Sequence, residues 1–157
     1  MQNKHSGFTL LEVLVVVGII GLLASLGTVF YRTAQDDAEI AKAQADIDAL
    51  YDAIGQLMVD TAEWPGHQTP EMVNAGATNE LWDLTTAEAG LLQTDGAYLD
   101  WDGPYIPNIP LDPWGNQYFL DTDYSINGVN HPVVGSFGPN GVGPNVYDSD
   151  DIVKVIY

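Results

Sequence analysis

Apolar residues run almost without interruption from Phe8 to Tyr31, FTLLEVLVVVGIIGLLASLGTVFY, with a single charge in 24 residues. Wound as a helix at ~1.5 Å per residue, the stretch reaches ~36 Å, enough to cross a hydrocarbon layer of ~30 Å. The 18 successive uncharged residues from Val13 to Phe30 are more than so small a domain can cover, which predicts one membrane span rather than a core helix. Past the span the pattern becomes periodic. From Arg32 to Thr61 there is no Pro and one Gly, and Ile40, Ala43, Ile47, Leu50, Ile54 and Leu57 step by 3, 4, 3, 4 and 3. That spacing predicts a second, amphipathic half of the same helix, carrying one apolar stripe. A self-associating coiled coil and a face packed on the chain's own sheet both fit it, and the downstream strands need the cover. Asp36, Asp37, Glu39, Asp46, Asp48 and Asp52 fall mostly off the stripe and read as a solvated face.

Trp64-Pro65-Gly66 ends the helix. Residues 67–100 read as a loop with short helical pieces at 78–84 and 86–92, in which His67 is a surface side chain. Trp101 to Tyr118 holds four prolines and two glycines before Gln117, so the chain must turn repeatedly there, pinned by aromatic rings. A structural corner delivering Tyr118 into a strand fits this stretch, as does an aromatic patch for sugar or peptide. Strands are predicted over 117–120, 133–137 and 152–157, with Asn127-Gly128 as a hairpin turn. The fold class is therefore α+β: a long N-terminal helix, membrane-spanning in its first half and amphipathic in its second, packed on a small C-terminal antiparallel sheet. A transmembrane helix over 8–31 and a globular domain over 32–157 are expected, with residues 1–7 ahead of them.

Charge and composition narrow the function. There is no cysteine, which removes disulfides, Cys-based zinc sites and thiolate nucleophiles. Lys and Arg number 4 against 22 Asp and Glu, a net charge of −18, so the chain will not track a phosphate backbone and nucleic acid is not an expected partner. The acids cluster after residue 35, while Lys4 precedes the span, which orients the N-terminus to the cytoplasm. A cleaved secretory signal is disfavoured, because the apolar run is long and ends in Phe-Tyr-Arg without a small-x-small site. Glu12 is the anomaly. An acid in an apolar span costs roughly 2.5–3.5 kcal/mol at mid-membrane and less near an end, so it needs a positive partner or an interfacial place at the positive end of the helix dipole. A cut after Gly7 would supply one, the new α-amine of Phe8, on the same chain or an adjacent copy.

Gly7 followed by Phe8-Thr9-Leu10-Leu11-Glu12-Val13, behind the short leader MQNKHSG, resembles the processing site of the type IV pilin-like family. Gly103-Pro104-Tyr105, then Leu111-Asp112-Pro113-Trp114-Gly115-Asn116 and Tyr118, narrow the resemblance to the major pseudopilins of type II secretion systems. The resemblance implies cleavage between Gly7 and Phe8 by a prepilin peptidase, N-methylation of Phe8, and extraction from the inner membrane into a helical homopolymer. It further implies that Glu12 neutralises a neighbour's N-terminal amine, and that minor pseudopilins and an inner-membrane assembly platform are partners. The domain would then be periplasmic. Many members carry a kinking Pro near the position of Val29, where this chain has Gly27 and Thr28.

The loop from Gly138 to Asp151 offers carboxylates, amides, a hydroxyl and Gly-exposed carbonyls, a donor set for a hard cation, although it is no EF-hand. The family resemblance implies calcium there. By position its ligands are Asn140, Asp148, Asp150 and Asp151, with the Phe137 carbonyl; Asn140 stands where an Asp is usual. No G-x-S-x-G, H-E-x-x-H or P-loop occurs, and His131 and Ser136 read as a chance pairing, so no enzyme is expected. Two other readings remain: a surface type IV pilin for adhesion or motility, and a membrane-tethered sugar- or peptide-binding module.

Overall fold

The computed structural model describes residues 9–69 and 80–157. Helix α1 (Leu10–Thr61) takes in both the apolar stretch and the amphipathic one. Gly18, Gly21 and Gly27 each weaken a helix by ~1 kcal/mol relative to Ala, yet the α-helix continues through Gly27 and Thr28. It stops at Thr61, where Ala62 takes a left-handed φ of 60° and its N–H bonds back to the Met58 carbonyl at 3.0 Å. The nearby Pro65 cannot extend the helix. Two compact units divide the chain, residues 1–38 and 39–157.

In the second unit α1 buries Ala43, Ile47, Leu50, Ala53, Ile54 and Leu57. Ile40, the first position of the predicted stripe, is exposed, and Ala53 joins instead; a period of 3.6 drifts from a strict alternation of 3 and 4 and brings Ala53 beside Ile54. Strands β1 (Phe119–Ile126), β2 (Val129–Ser136) and β3 (Ile152–Val155) form one antiparallel sheet in that order. Both hairpin strands run longer than predicted, because backbone pairing carries them through polar Asp121–Asp123 and Asn130–Pro132. Asn127 and Gly128 both have positive φ, 54° and 78°, the requirement of the two-residue turn the sequence signals. Register slips between Asp121 and Tyr124, opposite Pro132, so a bulge lies where β2 has no N–H to give.

One sheet face meets the helix: Leu120, Val134 and Ile156 pack with Ile47, Leu50, Ile54 and Leu57. Side chains alternate along a strand, so the other face carries Phe119, Tyr124 and Val133, covered by Trp82 and Phe137. The Phe119 and Phe137 rings stack at 4.5 Å. This fold needs residues 80–100 as core rather than as a plain loop. Leu84, Ala89 and Leu91 are fully buried, and Leu81 exchanges two backbone hydrogen bonds with Leu120, each 2.8 Å. The short helices expected in this region do not form among the described residues, since Asp83 takes the Thr85 N–H into a turn and Gly90 sits at φ 72°. Trp101 to Tyr118 is a structural corner: the Trp101 indole donates to the Gly90 carbonyl at 2.7 Å, and Ile109 and Tyr118 are buried.

Candidate functional site

Two regions answer to the sequence's candidates: the head of α1 and the loop before β3. Gly7 and Phe8 lie outside the described residues. Glu12 occupies the third position of the helix and turns back onto its cap. Its Oε2 accepts the Thr9 N–H and the Thr9 hydroxyl, both at 2.9 Å, while the Thr9 hydroxyl oxygen accepts the Glu12 N–H at 3.3 Å. Thr9-Leu10-Leu11-Glu12 is thus a capping box, in which two otherwise unpaired helix N–H groups are satisfied reciprocally. Behind it the large apolar side chains from Leu10 to Leu26, with Phe30 and Tyr31, stand exposed, and the most apolar stretch has a mean hydropathy of 2.6 with none of it buried. Ser25 and Thr28 hand their hydroxyl protons to the carbonyls of Leu22 and Ser25, so they add little polarity to that surface. By length and composition the helix can cross a bilayer.

The loop before β3 is tied down by its own acids. Asn140 donates through Nδ2 to Asp148 Oδ2 at 2.9 Å, and Asp148 Oδ1 accepts the Asp150 N–H at 2.9 Å. Those two bonds hold the Asp148 carboxyl below its ordinary pKa. Asp151 Oδ2 accepts the Tyr124 hydroxyl at 2.6 Å, but its Oδ1 is buried with no partner. Burial, followed by the Asp148 and Asp150 charges, pushes the Asp151 carboxyl upward. Gly138 has φ 63° and presses against the Asp150 carbonyl, so only glycine fits between Phe137 and the acidic run. The structure therefore brings Asn140, Asp148 and Asp151 together beside Tyr124 and Tyr147, at a surface cavity of about 300 Å³. Asp150 contributes backbone to the turn, and the Phe137 ring lies between Phe119 and Gly143 of the loop, which leaves its carbonyl as the group expected of it. An unpaired buried carboxylate oxygen suits a hard cation; the Asn140 Oδ1, which accepts the Val142 N–H at 2.7 Å, would have to turn to reach one.

Several roles escaped the sequence. His67 is no isolated surface residue: Nδ1 lies 2.7 Å from Glu63 Oε2, Nε2 lies 3.1 Å from Asp95 Oδ2, and the ring stacks on Tyr98 at 4.0 Å. Burial lowers its pKa, but the hydrogen bonds and charges of Asp95 and Glu63 win and raise it above the ordinary 6.5. Asp46 and Asp48 are not merely solvated. Tyr118 donates to Asp46 at 2.8 Å, and Lys154 reaches Asp48 at 2.7 Å. Ser136 pairs with Asp112 at 2.6 Å rather than with His131.

An apolar N-terminal helix whose second half packs on a small antiparallel sheet is the pilin-like class of architecture. The crystal structure of the major pseudopilin from the type 2 secretion system of enterohaemorrhagic Escherichia coli shares this fold, with a TM-score of 0.50 over 78% of this chain and 90% of that one, at 24% identity. Residues 2–28 match the prokaryotic N-terminal methylation motif, and residues 31–155 match the family type II secretion system (T2SS), protein G. Type II secretion system core protein G of Escherichia coli (strain K12) is 36% identical over 118 residues, covering 75% of this chain and 72% of that protein. Its counterpart in Dickeya chrysanthemi is 32% identical over 151 residues, 96% of this chain and 86% of that one. The chain belongs to the type II secretion system protein G family.

Proposed function

We propose that the chain is the structural subunit of a periplasmic pseudopilus that drives type II protein secretion, and that it has no reaction of its own. The observation that carries this reading is the bare apolar helix with an acid at its head, joined to a domain of the protein G family. A solitary helix of this kind must exchange water for lipid or for copies of itself. Cleavage between Gly7 and Phe8 by a prepilin peptidase frees the Phe8 amine. In this reading Glu12, held at the helix head by Thr9, pairs with that amine on a neighbour as the helices leave the inner membrane. Before assembly the chain sits in that membrane as a single pass, N-terminus in the cytoplasm and domain in the periplasm. Its partners are then other copies of itself, the minor pseudopilins and the inner-membrane assembly platform.

Calcium at the loop belongs to the same proposal. Asp148 and Asp151 would hold it, with the Phe137 carbonyl and a turned Asn140, and the metal would supply the positive charge that the loop itself lacks. Family membership favours this secretion role over a surface type IV pilin. Trp101 and Tyr105 lean on the core, which leaves the sugar- or peptide-binding module without its aromatic patch. The test is overexpression with imaging and N-terminal mass. Filaments of a chain beginning at methylated Phe8 are expected, and Glu12→Ala should be cleaved normally yet polymerise at least about tenfold less, the loss of ~1.4 kcal/mol or more per contact. Retention of Met1, or undiminished filaments from the variant, would refute the scheme.

A further inference from the structure

A second group of acids gathers around β1: Asp121 and Asp123 on the strand and Glu80 beside it, none of them a residue that the sequence marked as a ligand. Leu81 bridges antiparallel to Leu120, which sets Glu80 opposite Asp121, and the bulge after Asp121 swings Asp123 toward the same place. One carboxylate oxygen from each of Glu80, Asp121 and Asp123 lies within 4.8 Å of the other two. Asp121 is fully buried: its Oδ1 accepts the Asp123 N–H at 2.8 Å, and its Oδ2 has no hydrogen-bond partner. Asp123 Oδ1 is likewise buried without one. Burying an ionised carboxylate costs several kcal/mol unless a positive charge or donors meet it.

Among the described residues no Lys, Arg or His forms an ion pair with Asp121 or Asp123; Lys42 is committed to Asp46, Lys154 to Asp48 and His67 to Glu63 and Asp95. Two oxygens bound to one calcium at about 2.4 Å can stand no more than about 4.8 Å apart, and every pair in this trio lies within that limit.

We propose that Glu80, Asp121 and Asp123 form a calcium site that staples the segment before β1 to the β1 bulge, with a ligand set distinct from that of the 138–151 loop. Its burial decides its chemistry: carboxylate oxygens from both sides of the Leu81–Leu120 bridge converge on one point, and a divalent ion would meet the buried, unpartnered oxygens of Asp121 and Asp123. Asp121, the most buried of the three, is the anchor; Glu80 closes the site from the neighbouring segment. The ion would thereby reinforce a stretch already tied down by the backbone hydrogen bonds of Leu81 to Leu120 and of Leu84 to Tyr118 and by the packing of Trp82 on Phe119. This site does not depend on the pseudopilus reading.

The experiment is calcium counting on full-length protein in detergent, stripped with chelator and titrated with calcium chloride, for wild type, Asp121→Asn, Glu80→Gln and Asp148→Asn. Loss of one bound calcium per chain in both Asp121→Asn and Glu80→Gln, with that calcium retained in Asp148→Asn, is the expected result. Glu80→Gln alters a half-buried side chain outside the core and keeps the test readable if Asp121→Asn folds poorly. Terbium emission excited through nearby Trp82 should fall in the same two variants. If both bind as many calcium ions as wild type, at unchanged affinity, the site does not exist, whatever filament imaging shows.

Discussion

Asp112 sits in the Leu-Asp-Pro-Trp-Gly-Asn stretch that the sequence offers only as a corner, yet it is buried and its carboxylate accepts three hydrogen bonds. They come from the Trp114 N–H at 3.1 Å, the Asn116 N–H at 2.7 Å and the Ser136 hydroxyl at 2.6 Å. Asp112→Ala strands all three donors and should cost about 2–4 kcal/mol in chemical denaturation; a loss below ~0.5 kcal/mol would show that the corner stands without it. His67 gives a signed pH effect. Its folded pKa is raised, so the contribution of its pairing with Glu63 and Asp95 is fully present below about 6.5 and is lost as pH rises through the folded value. The groups facing it are Glu63, Asp95 and Tyr98, and the site is largely solvent-screened, which keeps the effect under ~1 kcal/mol. Thermal melts of wild type should lose stability across that window relative to His67→Gln, and parallel pH profiles would contradict the assignment. The capping box of Glu12 was legible in Thr-x-x-Glu, whereas the His67 cluster was not, since Asp95 lies 28 residues away.

Among the elements, the helix was the most legible, because a period of 3.6 survives any detail of packing. Its buried face differs from the predicted stripe at Ile40, which is exposed, and at Ala53 and Thr61, which are buried. Strand lengths were less so: backbone pairing is indifferent to side-chain polarity, and β1 runs on through Asp121 and Asp123. The connection over 80–100 was misjudged for a related reason. Leu84 and Leu91 carry no periodicity, and only the bridge to Leu120 shows that this segment lies along the edge of β1 and completes the core. Gly135 reports on how closely β2 and β3 pack. A Cβ there would come within 2.7 Å of Val153 Cγ1 and 2.9 Å of the Ile152 carbonyl oxygen. Gly135→Ala should therefore lower the urea midpoint by the equivalent of about 1–3 kcal/mol, with the slope unchanged. An unaltered midpoint would mean that the strands part at no cost.

On the scale of the molecule the governing quantity is a net charge of −18 with only four basic residues. Acids crowded near β3 and on the β1 bulge repel one another, and a divalent ion that binds the folded form alone adds stability as its concentration exceeds the dissociation constant, about 2.7 kcal/mol at a hundredfold excess. Calcium at millimolar concentration should raise the melting temperature of the detergent-solubilised chain by several degrees, reversed by chelator. A melt unmoved by calcium would remove the loop site as well as the stapling one. The sequence by itself determined the bare apolar helix, the amphipathic continuation, the Asn127-Gly128 turn and the acid behind the glycine. Each is a local property, set by the period of apolar residues or by the chemistry of neighbours a few positions apart. Tertiary structure alone decided that Asp46 meets Tyr118, that Ser136 meets Asp112, and that Glu80 faces Asp121 across a backbone bridge. These pairs lie 24 to 72 residues apart along the chain or depend on strand register, and no local pattern encodes a distance that only the closing of the core creates.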